Sequence, residues 1–519
     1  MMLHNDQKNI QGTTVIGFRG GFIDWAEDES KKYGIHYAIK EWSRALLKYC
    51  SVDNIVYLVP PSEYQVQLQG LNRLIQENRE LEHKVALFPI PLGIQLLQKS
   101  NIDIIAMHDV GWLSLPQMGY IRNKFLKGSY SVTANCHTIS YENIFPRFLA
   151  MGCSGLSQED ILICPSNAAQ KVMSSAFNKL NGFLKEPEWP DIQVLPFGID
   201  PARFRPVDKM FSRELLNLPI EAKIILWVGR ISSIDKGNLL LFLNKILPTI
   251  KDQGAIMVVS GADPFDEWPR IQMQLKLWGL ENSCIRLNVS DSSRTHLYSA
   301  ADLFVSPADS VQESFGQTVL EAMACGLPVV VSDWDGYRDI VENNISGYLI
   351  PTWWNQGKEA ASEFFRFLPW QSGHELLSMA LTIDYNEFSE KISLLLEDDL
   401  LRKEMSERAL LRASQFFWNK IIQKYEDIWF SRYGKIQATP EENYQTSLVH
   451  TDIFDINASD NFMKSKNDSS IINNSDLSKF YSYLSPNVRS FLPLSSFFNQ
   501  DDTMLSQLAK GWIEKIISE

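Results

Sequence analysis

Several features are missing from this 519-residue chain. It has no apolar run near the roughly 18–20 residues that a membrane-spanning helix needs. Its longest runs, such as AKIILWVG and LPVVV, are far shorter. The six cysteines (50, 136, 153, 164, 284 and 325) contain no C-x-x-C pair. Neither a zinc knot nor a disulfide scaffold is therefore indicated, and reduced thiols are expected. Positive charge is not in excess: a net charge of −13 disfavours non-specific binding to nucleic acid or to an anionic membrane. The first residues, MMLHNDQKNIQGTT, hold no signal-peptide core, so a cytoplasmic location is expected. The G-x-G-x-x-G fingerprint of dinucleotide binding is also missing after the first apolar run, which leads instead into GFRGGF (17–22).

The rest has an ordinary globular composition, 45% hydrophobic and 21% charged, on a length that suggests two to four domains. Short Val/Ile-rich runs alternate with amphipathic segments. TTVIGF (13–18), NIVYLV (54–59), IDIIAMHD (102–109), YSVTANC (130–136), DILICPS (160–166) and IQVLPFG (192–198) read as buried parallel strands. HYAIKEWSRALLKYC (36–50) between them has helical spacing. A second series follows: KIILWVG (223–229), AIMVVSG (255–261), SCIRLNV (283–289), ADLFVSP (301–307) and LPVVVSD (327–333). One sheet rarely holds so many strands, so the pattern predicts an α/β protein of two doubly wound parallel-sheet domains joined near PFGIDPARFRPVD (196–208). Residues 400–434 read as helix. Most of residues 455–477 are Asn, Ser or Asp, which predicts a flexible linker, and Leu505, Leu508, Trp512 and Ile516 share one face of a terminal helical segment. That segment suits either docking on this chain or a protein partner.

Two carboxylates, Glu313 and Glu321, stand eight positions apart in VQESFGQTVLEAMACGLPVVV (311–331). The helix dipole favours one acid near a helix start, but two acids imply separate tasks. Gly316 permits a strained loop-to-helix turn, and the amides of Thr318 and Val319 would face an anion such as phosphate. Arg230 and Lys236, in VGRISSIDKG (228–237), sit just past a predicted strand, where open α/β sheets bind ligands, and a guanidinium with an ammonium suits a diphosphate.

In order, the glycine-rich loop, the linker, G-R-x5-K-G and E-S-F-G-x4-E-A-M-A-C-G-x-P-V-V resemble the retaining glycosyltransferases of family 4 over about residues 12–434. SDWDGYRDIVENNISGYLI (332–350) resembles the segment that follows in that family. The resemblance implies a GT-B fold: two Rossmann-like domains facing each other across a cleft, here with a C-terminal extension. It implies an acceptor-side domain over 1–200, a nucleotide-sugar domain over 201–405 and a helix returning to the first domain over 406–434; composition and helical spacing add a linker over 435–480 and a helical tail over 481–519. Gly20 and Gly21 match the loop near the donor diphosphate, and Arg230 and Lys236 the phosphate-binding pair. Glu313 matches the acid that contacts the transferred sugar, Glu321 the acid that binds the ribose. Ser314, Phe315, Gly316 and Gln317 match the loop over the sugar, Thr318 and Val319 the helix start beside the phosphate. His137, in VTANCHTIS, matches a histidine facing the donor sugar, and His108 falls toward the acceptor side.

Two departures fall near the expected base pocket, which also takes in Leu287: Asp263 in SGADP and Asn288 in RLNVSD stand where glycine is frequent. The D-x-D of DWD (333–335) has the form that holds a divalent cation in a different fold. Two acids alone are a poor cage for such an ion, so no metal and no cofactor are expected. The expected reaction moves a sugar from a nucleotide diphosphate sugar, UDP favoured, to a hydroxyl acceptor in glycan, polysaccharide or glycolipid synthesis. Another GT-B enzyme, such as an epimerase or phosphorylase, and a partner-dependent sugar-nucleotide-binding subunit stay open.

Overall fold

The computed structural model describes residues 12–19, 34–100, 102–111, 113–137, 139–140, 145–152, 154–182, 184, 187–233, 236–365 and 367–436. Gly20, Gly21, the linker and the terminal helical segment lie outside the described residues.

Two parallel sheets carry the fold. The first comprises β1 (Thr13–Phe18), β2 (Asn54–Val59), β3 (Val85–Pro89), β4 (Asp103–Asp109), β5 (Ser131–Asn135), β6 (Ile161–Cys164) and β7 (Asp191–Val194), in the order β3-β2-β1-β4-β5-β6-β7. The second comprises β8 (Lys223–Val228), β9 (Ala255–Ser260), β10 (Cys284–Arg286), β11 (Leu303–Ser306), β12 (Val329–Ser332) and β13 (Gly347–Ile350), in the order β10-β9-β8-β11-β12-β13. All pairings within both are parallel. The expected two-domain α/β architecture is thus the observed one. Sequence periodicity passed over β3 and β13, both edge strands: Val85–Pro89 is only half-buried along most of its length, and Gly347–Ile350 is four residues long. It also passed over a small antiparallel pair, β14 (Thr352–Trp354) and β15 (Leu381–Ile383), which brackets the helices Lys358–Phe365 and Trp370–Ser378.

The strand order places a switch point in each sheet, between β1 and β4 and between β8 and β11. Neighbouring strands there lead off in opposite directions, and their outgoing loops part to leave a crevice at the carboxyl ends.

The chain crosses twice between the domains, side by side. Ile199 donates its amide to Phe416 O (2.8 Å) and accepts from the Trp418 amide (3.1 Å). Gly198 is required there, because a Cβ would lie 2.4 Å from the Trp418 ring. The helix Asp399–Ala413 stays with the second sheet, where Arg412 donates to the carbonyls of Asp339 and Ile340 (2.7 and 2.9 Å). The crossing at Phe417 falls inside the 406–434 segment. The helix Trp418–Arg432 then lies on the first domain. Tyr425 donates to Asn135 Oδ1 (2.9 Å), Trp429 Nε1 to Thr133 Oγ1 (3.1 Å), and Arg432 pairs with Glu159 and Asp191 (2.7 and 2.9 Å). Among the described residues, no helix is long and apolar enough to cross a membrane.

Trp429 is fully buried at this seam. Trp429→Ala is expected to lower unfolding stability by about 3–5 kcal/mol, the range for truncating a buried large aromatic, read as a shift of the urea midpoint.

Candidate functional site

The loops leaving β8 and β11 meet at the switch point of the second sheet. Lys236, on the first, holds the Glu313 carboxylate, on the second, with Nζ to Oε2 at 2.5 Å. Glu313 is fixed at its backbone as well: its amide donates to Asp335 Oδ2 (2.8 Å) and its carbonyl accepts from the Gly336 amide (3.0 Å). Arg230 lies on the β8 loop, half-buried, beside the Ile231 amide that bonds Ala262 O (2.8 Å).

Gly316 has φ +104, a left-handed conformation open to glycine, and caps the helix Gln317–Ala324. Any Cβ would lie 2.6 Å from the Tyr337 ring. The Val319 amide already bonds Gly316 O (3.0 Å) and its side chain is buried, which corrects the expectation that this amide faces a ligand. The amides of Gln317 and Thr318 have no carbonyl partner among the described residues, as geometry requires of a helix start. Phe315 needs a similar correction. Its ring packs edge-on against Phe197 (5.6 Å) and Phe416 (6.4 Å) in the core, so only its backbone is left to border a sugar. Ser314 is half-buried beside it, and Gln317 Nε2 donates to Gly198 O (3.3 Å).

Glu321 sits about 7.5 Å along the helix from Gly316 at 1.5 Å per residue. It is buried and accepts at Oε2 from Tyr298 OH (2.7 Å) and from Arg294 Nη2. Burial raises the Glu321 pKa, with Arg294 and Tyr298 opposing. Burial also works against the Arg294 charge, but Glu321, Tyr298 and Asp291 outweigh it and the net shift is upward. The charges continue outward: Arg294 pairs with Asp291 (3.7 Å), Asp291 with Arg203, and Arg203 with Glu41 of the first domain (2.9 Å). Tyr37, Glu41, Asp200, Arg203, Arg294 and Glu321 line a pocket at the domain junction. Arg294 and Tyr298 were missed from sequence, although their i, i+4 spacing places them on one helix face.

On the first domain, His137 is buried. Its Nε2 meets Val110 O at 2.5 Å and its ring stacks on Phe197 (4.9 Å). A carbonyl only accepts, so Nε2 carries the proton. Burial lowers the His137 pKa against the pull of the Val110 bond and Asp109. The ring is therefore neutral near pH 7, with its lone pair on Nδ1. His108 does not line the acceptor side as expected. It is buried against Trp42 (4.4 Å) and Tyr425 (5.2 Å), bonds Thr133 through Nδ1 (2.7 Å), and burial pushes its pKa down to about 3.

The departures from the family pattern have structural uses. Asp263 accepts from the amides of Glu267 (2.8 Å) and Trp268 (3.0 Å), which fixes the turn leading into the helix Trp268–Leu277. Asn288 is exposed, and Leu287 continues β10 by bonding Val259 O (2.9 Å). The two acids of DWD turn to different partners, Asp333 to Arg338 (2.6 Å) and Asp335 to the Glu313 amide. Among the described residues no group of three or more His, Cys, Asp or Glu is placed to hold a metal ion.

Residues 222–363, most of the second domain, match the family model described as glycosyl transferases group 1. A D-inositol 3-phosphate glycosyltransferase of Saccharomonospora viridis is 30% identical over 176 residues, or 31% of this chain and 38% of that protein. The chain thus spans little more than a third of that relative's length. Among solved structures, Anabaena Alr3699/HepE in complex with UDP-glucose aligns over 81% of this chain and 100% of its own, at 16% identity and a TM-score of 0.52. A glycosyltransferase from Rickettsia africae aligns over 81% and 98%, at 14% identity and a TM-score of 0.54. The two facing Rossmann-like domains are those of the GT-B fold.

Asp309 flanks the Lys236 loop, accepting from the Asn238 amide (3.0 Å), and burial pushes its pKa up to about 6. Burial does the same to Asp335. An acid whose folded pKa lies above its unfolded value stabilises the fold at low pH, and that contribution is lost as pH rises from about 4 through about 6. Asp309→Asn keeps the acceptor without the charge. The fall in thermal midpoint of the native protein between pH 4 and pH 7 is expected to be smaller in this variant, with Asp335 and Glu321 among the groups that keep part of it.

Proposed function

We propose that this protein transfers a glycosyl group from a nucleotide diphosphate sugar, UDP-linked by preference, to a hydroxyl acceptor with retention of anomeric configuration. The observation that carries the reading is the Lys236–Glu313 pair at the β8/β11 switch point, beside the start of the helix Gln317–Ala324. The group 1 match over residues 222–363 and the UDP-glucose held by the Anabaena structural neighbour support it.

In this reading the leaving β-phosphate gains charge as the glycosidic bond breaks. Lys236 has three donors, so it can keep Glu313 and still donate to a phosphate oxygen. Arg230 and the amides of Gln317 and Thr318 add fixed donors. Each charge-assisted hydrogen bond contributes ~1.5–3 kcal/mol net, and donors set before the reaction lower its barrier without reorganising. Glu313 accepts from hydroxyls of the transferred sugar. Its charge, held opposite Lys236, also favours the oxocarbenium character that develops at the anomeric carbon. The departing phosphate takes the acceptor proton from the same face, so no side chain is assigned as general base. Glu321 accepts from the ribose diol at the pocket where Tyr37 and Arg294 meet. His137, neutral with Nδ1 unprotonated, serves as an acceptor toward the sugar rather than as an acid. The acceptor is a glycan, lipid-linked or other hydroxyl compound arriving from the first domain, and closure of the lobes excludes water.

Purified protein incubated with UDP-, GDP- and ADP-sugars is expected to release nucleotide slowly from one of them without added acceptor, and rapidly with the right one. Lys236→Ala and Glu313→Gln are each expected to cut turnover about 100-fold or more, with unchanged thermal midpoints. Normal turnover in both variants would refute the reading.

A further inference from the structure

Gln312, the residue before the first acid, belongs to the second domain, yet its side chain spends its hydrogen bonds on the first. Its Oε1 accepts from the amides of Ile139 (2.9 Å) and Ser140 (3.1 Å), and its Nε2 donates to His137 O (3.1 Å). The same stretch receives a further bond from across the cleft, where His374 Nε2 lies 3.1 Å from Ser140 O. His374 stands on the helix Trp370–Ser378, inside the β14/β15 insertion. A backbone segment beside the first domain's histidine thus has donors and acceptors satisfied by side chains of the opposite lobe.

The chemistry of the pairing is specific. The segment presents two amide donors and one carbonyl acceptor, and a carboxamide offers the complement in one plane. A carboxylate lacks the donor, an ammonium lacks the acceptor, and an aliphatic side chain lacks both. These partly buried backbone groups gain from having partners, and here the partners are side chains of the opposite lobe. Gln312 is also bonded through the chain to Glu313, whose amide and carbonyl are anchored on Asp335 and Gly336 and whose carboxylate is anchored on Lys236. Movement of Gln312 away from the first domain is transmitted to that acid along one peptide unit.

Resting on the reading of Glu313 as the sugar-facing acid, we infer that Gln312 is a positioning residue that makes lobe closure a condition for the productive placement of Glu313 and His137. It links the two halves of the site directly: the His137 carbonyl sits on its Nε2, and the acid follows it in the chain. With the lobes apart, both halves lose this tie. Donor binding by the second domain alone does not need it, so its removal acts on the chemical step more than on donor affinity.

The test uses the full chain with Gln312→Ala and the isosteric Gln312→Glu, each checked for an unchanged thermal midpoint. Hydrogen exchange at the amides of Ile139 and Ser140 reads the latch without turnover. It is expected to quicken about tenfold or more in Gln312→Ala, as loss of a closing contact raises local opening. In the same variant kcat with the donor found in the nucleotide-sugar screen is expected to fall about 10–100-fold, the scale of a small misplacement, with KM for the donor within about threefold. Gln312→Glu separates this from a packing effect. Its carboxylate repels the His137 carbonyl at neutral pH. A protonated carboxyl regains the donor, so its activity relative to the native protein is expected to recover as pH falls toward 5. Quickened exchange with unchanged kcat, or unchanged exchange with lowered kcat, would overturn the coupling. A native protein that turns over no nucleotide sugar would remove the proposed function and the catalytic half of this inference. The exchange result would still show whether Gln312 holds the lobes, so the two failures are distinguishable.

Discussion

A lysine ammonium 2.5 Å from a glutamate carboxylate, where two strands of a parallel sheet part company, is the contact on which the rest of this structure depends. The β8/β11 switch point sends one loop out with Lys236 and the other with Glu313. The surrounding features fix that meeting. Asp309 holds the Asn238 amide on the lysine side, Asp335 holds the Glu313 amide on the acid side, and Gly316 turns the chain straight into a helix whose first amides have no carbonyl partner among the described residues. Charges of opposite sign held this way are what the proposed reaction calls for, with an anionic diphosphate on one side and a sugar that turns cationic on the other.

Both lobes contribute to one cleft because the chain ties them together at several points. The helix Trp418–Arg432 buries Tyr425 and Trp429 on the first domain, and Ile199 bonds both Phe416 and Trp418 where the chain crosses. The ion pairs from Glu41 through Arg203, Asp291 and Arg294 reach Glu321 from the opposite side. Closer to Glu313, Gln312 and His374 reach the carbonyls of His137 and Ser140. The ion-pair chain is buried at Glu321 and partly exposed toward Asp291, so its members gain little net stability from pairing and act more to fix the arrangement of the domains. The His137 ring, held neutral by burial between Phe197 and Val110, owes its protonation state to contacts within the first domain.

Much of the fold was legible because buried parallel strands must be apolar on both faces. β1, β2, β4 and the strands of the second series stand out in sequence for that reason. β3 and β13 did not: β3 is half-buried along most of its length, which dilutes its pattern, and β13 is only four residues long. The acids and the basic pair were legible from their spacing around one glycine and one helix start. The Val319 amide was misjudged, since spacing places a residue in a first turn but does not say whether its amide is already bonded within that turn, and spacing likewise did not tell that the Phe315 ring enters the core. Nothing in the local pattern of DWD distinguishes a cation cage from two acids with separate partners.

By itself, then, the order of residues determined most of the strands, where the two sheets divide, and that Arg230, Lys236 and Glu313 fall on loops past strand ends, with Glu321 in the helix that follows. These are properties of local periodicity and local backbone strain. Only the tertiary structure decided that Glu321 is shared with Arg294 and Tyr298, that His108 belongs to the core, and that Gln312 reaches across to the His137 segment. Each of those contacts joins residues far apart in the chain, and hydrogen bonds and ion pairs act over a few ångströms of space whatever the separation in sequence.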